Sequence, residues 1–429
     1  MDQELHTYFE QITRSCLRCG TCMRIQGEEG QPAYDLWSLA QLLLQEDALS
    51  TLPAEAIFLI RSCSLCGACT VDCPAALHCG DFMRKARARL IELAPAIADD
   101  YRSYRVDYRS NIFARLRELD AVHYDEMLEK PDDEKKESGM SSSASGARSS
   151  HRTLFFPGCA LSTYAPDLTR AVFAYLERSG LADGLTAHCC GSLLASGGLQ
   201  QHYAAYARQL ALRLQEQRVD QIIVACPHCY HSLDGLLEQE GLREVRLLAL
   251  PQLLLDQGLR FSPTELAPYT TVSLHDACPD RVKQRFGAPT RALFERVALV
   301  EMEHSGKTTL CCGSGGMVSQ YDPATCEARR ERRLREYEQT GADCLVTDCL
   351  SCVNSFQRSP SEPGVFHYLE LLFGLPIDWA EVALRARRLW ELPKAERPDA
   401  PLELASRTFP ITGGVATAAP AAPAAPAAP

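Results

Sequence analysis

The sequence predicts an α+β multidomain protein, in which a small and mainly helical domain is followed by two repeated α/β domains. Three observations lead to this prediction. The 20 cysteines of the 429-residue chain fall into three groups, and the second and third groups share one spacing. Around that shared spacing, apolar strand-like runs alternate with helical patterns. A chain of this length accommodates two to four domains of roughly 100–200 residues each.

The domain boundaries are predicted from composition. Residues 129–152 are charged and then rich in serine and glycine, as is typical of a flexible linker, and the chain ends in a Pro/Ala-rich run with nothing to bury. The predicted division is a helical domain, a flexible linker, a first repeat, a second repeat and a disordered tail, at residues 1–128, 129–152, 153–269, 270–395 and 396–429.

Charge and hydropathy narrow the class of protein. The net charge is -11 with acids and bases mixed, which does not suggest a nucleic-acid partner. The basic runs 84–89 and 329–335 are interpreted as solvated helix faces. No stretch is apolar enough to span a membrane, and the first residues do not resemble a secretory signal. We therefore expect a cytoplasmic protein, peripheral on the inner face of a membrane only through a partner, whose cysteines serve metal or redox chemistry rather than disulfides.

The N-terminal domain is predicted to be helical around its cysteines. Residues 33–45 and 80–93 both have helical patterns. Between them, residues 63–74 read CSLCGACTVDCP, which is the C-x2-C-x2-C-x3-C-P spacing of a ferredoxin-type cubane [4Fe–4S] cluster. A tetrahedral zinc site fits this triplet poorly. Residues 16–22, CLRCGTC, begin a second copy of the motif.

These motifs predict one or two ferredoxin-type clusters. The ligands of the first would be Cys16, Cys19, Cys22 and Cys73. The second would be held by Cys63, Cys66 and Cys69, but Gln26 stands where its fourth cysteine is expected. This second cluster could be a [3Fe–4S] centre, or a cubane closed by Cys79 or by a ligand other than cysteine. Cys79 could equally be a free buried thiol.

The second and third cysteine groups form a repeat. Each has a single cysteine, an adjacent pair followed by Gly-Ser, and a C-x-x-C motif. The corresponding positions are offset by 119, 122, 122, 123 and 123 residues. The first set is Cys159, Cys189, Cys190, Cys226 and Cys229, and the second is Cys278, Cys311, Cys312, Cys349 and Cys352. This regularity predicts two copies of one domain.

The cysteines of each repeat are expected at the ends of strands. Residues 153–159 and 221–229 read as strands that run into cysteines, and residues 270–278 and 343–352 have the same pattern in the second repeat. Open α/β sheets bind their ligands at the carboxyl ends of strands. Five thiols exceed what a zinc ion or one cubane needs, and an adjacent pair could bind two irons of a distorted cluster. The glycine after each pair would let the backbone turn tightly.

This arrangement, C-x29-CCG-x34-CPHC followed by C-x32-CCG-x35-CLSC, resembles the paired cysteine-rich (CCG) domains of heterodisulfide reductases. A ferredoxin-like domain ahead of two CCG domains is similar to the D subunit of heterodisulfide reductase, to the C subunit of anaerobic glycerol-3-phosphate dehydrogenase and to the iron–sulfur subunit of glycolate oxidase. The resemblance covers about residues 10–375. It implies that each five-cysteine set holds a noncubane [4Fe–4S] cluster.

The resemblance also implies a function. Ferredoxin-type clusters would pass electrons singly to the CCG-bound clusters, which would reduce a disulfide-type substrate or catalyse the reverse oxidation. Cys190 and Cys312 would be the cluster ligands at the substrate site. The alternative is an electron-transfer subunit that links a flavoprotein dehydrogenase, acting on a 2-hydroxy acid or glycerol 3-phosphate, to quinone or a membrane cytochrome. The expected partners are thus a cytochrome b-type membrane subunit or a flavoprotein dehydrogenase, with a small disulfide, thiol or electron carrier.

Four histidines lie beside cysteines of the repeats: His188, His228, His231 and His275. They could donate protons or tune a cluster through hydrogen bonds. A structural role is favoured for each, because loops at strand ends often carry polar groups. Cys326 lies in a helical run and Cys344 opens a strand, so both are interpreted as core residues.

Overall fold

The computed structural model describes residues 1–26, 34–46, 48–104, 111–128, 152–264, 266–358 and 364–392. The predicted linker, apart from Arg152, and the predicted tail lie outside the described residues. Both stay predictions, as do the domain boundaries drawn from composition.

The N-terminal part is helical, as predicted. Its helices are α1 (Gln3–Ser15), α2 (Thr21–Gln26), α3 (Leu36–Leu44), α4 (Ala48–Thr51), α5 (Ala54–Ser62), α6 (Ala68–Val71), α7 (Cys79–Leu93) and α8 (Ile112–Leu119), with a 3₁₀ segment at Pro95–Tyr104. Helices α1, α3 and α7 enclose a small core in which Phe9, Leu39 and Phe82 are fully buried. The ferredoxin-like character of this part stays a prediction.

The first repeat is an α/β unit with a parallel sheet. Its elements are β1 (Thr153–Phe156), α9 (Cys159–Tyr164), α10 (Pro166–Arg178), β2 (Gly184–Leu185), α11 (Ser192–Ser196), α12 (Gln200–Glu216), β3 (Gln221–Val224), α13 (Pro227–Gln239), β4 (Arg246–Ala249) and α14 (Leu250–Asp256). All neighbouring strands are parallel, in the order β2-β1-β3-β4.

The second repeat has the same topology. Its elements are β5 (Thr271–His275), α15 (Gly287–Leu293), β6 (Ala298–Leu299), α16 (Pro323–Thr340), β7 (Cys344–Thr347), α17 (Leu350–Phe356), β8 (Val365–His367), α18 (Tyr368–Phe373) and α19 (Trp379–Glu391), with 3₁₀ segments at Cys278–Asp280, Gly306–Thr308 and Gly315–Gln320. The strand order is β6-β5-β7-β8, again all parallel. The prediction of two repeated α/β domains is confirmed.

Local sequence explains these elements. The central strands β1 and β7 are buried along their whole length, as parallel strands covered by helices on both faces must be. Helix α16 begins where the Asp322 side chain accepts a hydrogen bond from the Thr325 amide, with Pro323 in its first turn, and ends at Gly341 in the left-handed conformation. As predicted, Cys326 lies on this helix and Cys344 opens β7, and both are buried.

The sheet order determines where the cysteines meet. In each repeat the chain leaves the first strand toward one edge of the sheet and later returns to build the other edge, so the order reverses between β1 and β3 and between β5 and β7. Loops diverge there and leave a crevice at the carboxyl ends. Cys159 and Cys226 follow β1 and β3, and Cys278 and Cys349 follow β5 and β7.

The two repeats pack directly on each other. Tyr175 of α10 contacts Phe373 of α18 edge-on with ring centroids 6.1 Å apart, and Tyr164 contacts Trp379 in the same way, also at 6.1 Å. One apolar core runs through both sheets and includes Phe155 of β1 and Leu345 of β7. Burial of each aliphatic or phenyl side chain of this kind contributes about 1.5–3 kcal/mol to the free energy of unfolding. Across the described ranges, none of the helices is both long and apolar enough to cross a membrane.

Candidate metal centre

The two cysteine pairs have the same local structure. Gly191 and Gly313, which follow the pairs, adopt left-handed conformations with φ of 77° and 84°. The turn directs the Gly191 amide back to Cys189 Sγ at 3.4 Å, and the Gly313 amide to Cys311 Sγ at 3.3 Å. The tight turn predicted for these glycines is therefore present in both repeats. At Gly313 an added Cβ would also lie 2.3 Å from the carbonyl oxygen of Cys326, so no side chain fits.

A serine holds the second cysteine of each pair. Ser232 Oγ donates to the carbonyl oxygen of Cys190 at 2.9 Å, and Ser355 Oγ donates to that of Cys312 at 2.7 Å. Both serines lie three residues after the C-x-x-C motif of their own repeat. Aligning the two repeats could have identified them from sequence, but the predicted sites were drawn from the cysteines and their neighbouring histidines alone.

The first five-cysteine set is brought together. The Cys189 thiol contacts the thiols of Cys159 and Cys190. Cys190 in turn contacts Cys229, and Cys229 contacts Cys226. Gly158, with φ of 82°, passes so close that an added Cβ would lie 3.1 Å from Cys229 Sγ.

The second set is assembled in the same order. Cys311 contacts Cys278 and Cys312. The Sγ atoms of Cys312 and Cys352 are 3.1 Å apart, and Cys352 contacts Cys349.

The two sets also touch each other. The thiols of Cys226 and Cys349 contact each other across the boundary between the repeats. The ten cysteines therefore form one unbroken series of contacting thiols from Cys159 to Cys278. Nothing in the spacing of either repeat predicts this contact, because it depends on how the two sheets pack.

A cavity of about 200 Å³ opens between the two sets. Cysteines from both line it, including Cys190 and Cys312, together with His228, Arg330 and Arg358. Its described lining contains no aspartate or glutamate. Cys326 also reaches this cavity, although the sequence predicted only a core position for it.

One cavity brings together cysteines of both predicted N-terminal sets. A small cavity of about 20 Å³ is lined by all four cysteines of the predicted first set and also by Cys69 and Cys79. Cys79 is 1% exposed, and its thiol contacts that of Cys69. Cys63 and Cys66 are not in this lining. The side chain of Gln26, at the expected fourth position, is outside the described part of the structure.

Cys66 instead faces the second repeat. Burial, and after it the neighbouring Cys311 thiol, raises the pKa of Cys66 to about 11. Burial likewise raises the pKa of Cys22 to about 11. Metal-free thiols of this kind are protonated at neutral pH, so a metal that binds them has to displace the protons.

Arginines fasten the loop around Cys63 and Cys66 to the second repeat. Arg281 donates to the carbonyl oxygens of Cys66, Lys307 and Thr309 at 3.2, 2.5 and 2.6 Å. Arg329 donates to the Ser62 carbonyl at 2.9 Å and to the Ser64 hydroxyl. Cys66 is thus held near the cysteines of the second repeat, because arginines of that repeat donate hydrogen bonds to oxygens of the N-terminal loop.

Arg87 joins all three parts of the chain. Its side chain is fully buried on α7, and its guanidinium donates to five carbonyl oxygens. Two of the acceptors are in the repeats, at 2.6 Å each: Ser196 of the first and Gly316 of the second. The other three are in the N-terminal part, at 3.0, 2.9 and 2.5 Å: Ile60, Arg61 and Cys63. Both basic runs were interpreted as solvated helix faces, and burial of Arg87 and Arg333 shows that this interpretation was wrong for these two residues, whereas Arg332 and Arg335 are exposed.

Both repeats also place glycine against the N-terminal backbone. An added Cβ on Gly198 would lie 2.6 Å from the amide nitrogen of Ala88, and one on Gly316 would lie 2.3 Å from the carbonyl oxygen of Cys63. Both glycines have positive φ, of 79° and 66°. These contacts leave no room for a side chain at either position.

The four histidines have different surroundings. His188 lies 3.8 Å from the carboxylate of Glu126. His228 lines the larger cavity, and burial lowers the pKa of His231. A ring nitrogen of His275 and the Sγ atoms of Cys312 and Cys352 all lie within 4.8 Å of one another.

The donor set suits an iron–sulfur cluster. It consists of ten contacting thiols, six on buried and four on partly buried cysteines, which are the soft ligands that such clusters use. The five cysteines of each set exceed the four ligands of a structural zinc ion. The backbone at Gly158 and at Gly313 passes close to sulfurs of the two sets, as a compact inorganic core requires.

Comparison with known proteins agrees with this chemistry. The cysteine-rich domain family CCG matches residues 153–234 and 272–357. Over 311 residues the chain is 26% identical to the D subunit of dihydromethanophenazine:CoB–CoM heterodisulfide reductase from Methanosarcina barkeri, a match that covers 68% of this chain and 71% of that protein.

Two other relatives match over about half of the chain. Lactate utilization protein A of Halalkalibacterium halodurans is 24% identical over 51% of this chain and 94% of its own length. The glycolate oxidase iron-sulfur subunit of Escherichia coli is 21% identical over 52% of this chain and 58% of its own length.

Proposed function

This chain carries two copies of the cysteine-rich CCG domain, and from that premise we propose that it is the iron–sulfur subunit of an oxidoreductase complex. The more specific proposal is that it reduces a disulfide-type substrate, or catalyses the reverse oxidation, between its two CCG domains. Clusters held by Cys159, Cys189, Cys190, Cys226 and Cys229, and by Cys278, Cys311, Cys312, Cys349 and Cys352, supply one-electron transfer when bound.

One observation carries this proposal. The two five-cysteine sets meet at the Cys226–Cys349 contact, and a cavity lined by both sets opens beside it. A substrate in that cavity would lie between the two metal sites. Reduction of a disulfide requires two electrons and two protons and yields two thiols, so two adjacent one-electron sites match the stoichiometry. The arginines of the lining, Arg330 and Arg358, provide positive charge toward a bound anion.

The N-terminal cysteines are the proposed input for electrons. Cys66 lies beside Cys311, and Arg281 holds the Cys66 carbonyl against the second repeat. Electrons from a reduced partner would therefore reach the second CCG set before the first. That partner would be a cytochrome b-type membrane subunit or a flavoprotein dehydrogenase.

The direct test is anaerobic purification followed by iron and acid-labile sulfide analysis and EPR, with and without added thiols. We expect about four irons for each occupied cluster and a paramagnetic signal that appears only with thiol. Iron-free protein that retains its fold would contradict the iron–sulfur proposal. If the protein contains its clusters but its EPR spectrum does not change with any added thiol or disulfide, only the proposed substrate is contradicted.

The alternative function is that of an electron conduit. The similarity to the glycolate oxidase iron-sulfur subunit and to lactate utilization protein A favours it. Copurification with a flavoprotein dehydrogenase, together with clusters that do not respond to thiols, would select this function.

Cys79 is proposed as the fourth ligand of the set formed by Cys63, Cys66 and Cys69. Its buried thiol contacts Cys69, whose own pKa is raised by that contact and also by the charges of Cys63 and Cys66. We expect Cys79→Ser to lose one iron from one N-terminal cubane. EPR of the oxidised variant should then show a [3Fe–4S] signal that the parent protein lacks.

Cys344→Ala is the matched control, because Cys344 is a buried cysteine in the core of the second repeat. It should leave the iron content and EPR spectrum unchanged. Two normal cubanes in Cys79→Ser would exclude Cys79 as a ligand.

A further inference from the structure

His275 differs from the other three histidines in how its ring is held. The side chain is buried at the end of β5, and its Nδ1 accepts a hydrogen bond of 3.0 Å from Arg333 Nε. A guanidinium can only donate, so Nδ1 carries no proton. An imidazolium has no free nitrogen to accept this hydrogen bond, so the ring is neutral. Its single proton is therefore on Nε2.

Arg333 is itself fixed. It is fully buried, forms an ion pair with Glu336 and donates to the carbonyl oxygen of His304 at 2.8 Å. Phe356 packs edge-on against the imidazole with ring centroids 5.0 Å apart. These contacts leave the ring one orientation and one tautomer.

The protonated Nε2 is buried and has no hydrogen-bond partner within the described structure. Sulfur atoms are within reach as acceptors, because a ring nitrogen of His275 lies within 4.8 Å of Cys312 Sγ and Cys352 Sγ. A nitrogen that carries a proton cannot bind a metal through its lone pair. This combination of a histidine and two cysteines is therefore not a three-ligand metal site.

The first repeat has no histidine at the equivalent position. The offset of 119 residues that aligns Cys278 with Cys159 aligns His275 with Phe156. Both residues end the first strand of their sheet and both are buried. The repeats thus share their serine and glycine contacts but differ at this position, where one has an N–H group and the other a hydrocarbon ring.

We propose that His275 Nε2–H donates a hydrogen bond to the thiolate sulfur of Cys312 or Cys352, and that this donor raises the reduction potential of the second CCG centre. The inference rests on the proposed function, since it requires a redox-active cluster on the second set. An N–H donor withdraws negative charge from a ligand sulfur and so stabilises the reduced, more negative cluster. His275 is a positioning residue that acts through a ligand.

The test is an anaerobic redox titration followed by EPR, with His275→Phe, which copies the residue of the first repeat. The signal of the second centre is identified by its loss in Cys312→Ala. We expect the reduced-to-oxidised ratio of that centre, at fixed potential, to fall about tenfold, which is ~59 mV for one electron. The first centre and the iron content should not change.

A conservative variant gives a second readout. His275→Gln keeps an N–H donor, so its potential should lie between those of the parent and His275→Phe. A Gln variant that falls below the Phe variant, a fully loaded Phe variant with unaltered potentials, or an equal shift of both centres would overturn the inference.

If His275→Phe loses iron, ENDOR on the parent protein with ¹⁵N-labelled histidine decides the question. An exchangeable proton weakly interacting with the second centre is expected. The strong nitrogen interaction of a direct ligand, or no exchangeable proton, would refute the inference. Failure of the proposed function is distinguishable, because it appears earlier, in the iron assay.

Discussion

Cys312→Ala is expected to remove about four irons from the anaerobically purified protein and to abolish the thiol-dependent EPR signal together with disulfide reduction. Cys312 connects Cys311 to Cys352 in the series of contacting thiols, and it lines the cavity between the repeats. Its loss interrupts the second set at its centre. Cys190→Ala interrupts the first set at the equivalent point and should have the same effect on the other cluster.

The control for both variants is Cys344→Ala, which should keep its iron and its activity. Measuring the iron content shows whether each variant has lost its cluster, independently of whether it still reduces the disulfide. If Cys190→Ala and Cys312→Ala lose iron but reduce the disulfide at the parental rate, the cavity between the repeats is not the reaction site.

Arg87→Met is expected to destabilise the protein by at least ~3 kcal/mol, since it leaves five carbonyl oxygens, in three buried and two partly buried hydrogen bonds, without their donor. A lysine offers a single ammonium group, which cannot reach acceptors spread over three parts of the chain. Arg87→Lys should therefore restore little of the lost stability. Anaerobic thermal unfolding of the loaded protein measures the effect as a lower Tm.

Arg84→Met is the control on the same helix. Arg84 is partly exposed and pairs with Asp81 one turn away, so its removal should change the stability by no more than ~1 kcal/mol. Equal melting temperatures for the Arg87 and Arg84 variants would show that the carbonyl contacts do not hold the three parts together.

The repeated domains could be predicted from the sequence because their signals are local. The apolar runs that precede Cys159 and Cys278 are strands, and the glycines after both cysteine pairs have the tight turn that their position suggested. The spacing of each five-cysteine set also implied that its members would meet. These properties depend on residues close in sequence or on a single sheet.

The contacts between the parts could not be predicted in this way. Arg87 and Arg333 belong to basic runs that resemble solvated helix faces, yet both are buried. Their partners are largely backbone carbonyls and a histidine from distant segments, and backbone carbonyls have no signature in the sequence. The Cys226–Cys349 contact and the position of Cys66 near Cys311 depend on the same packing.

The packing of the N-terminal part on the repeats restricts which residues can occupy positions 198 and 316 during evolution, where the chain has Gly198 and Gly316. Each lies against the N-terminal backbone with no space for even a methyl group. Any lineage that keeps the N-terminal part docked must keep both glycines. If a gene fission separated the N-terminal part from the repeats, neither position would need to remain glycine. Replacement of both glycines in a descendant would then indicate that the docked arrangement had been lost.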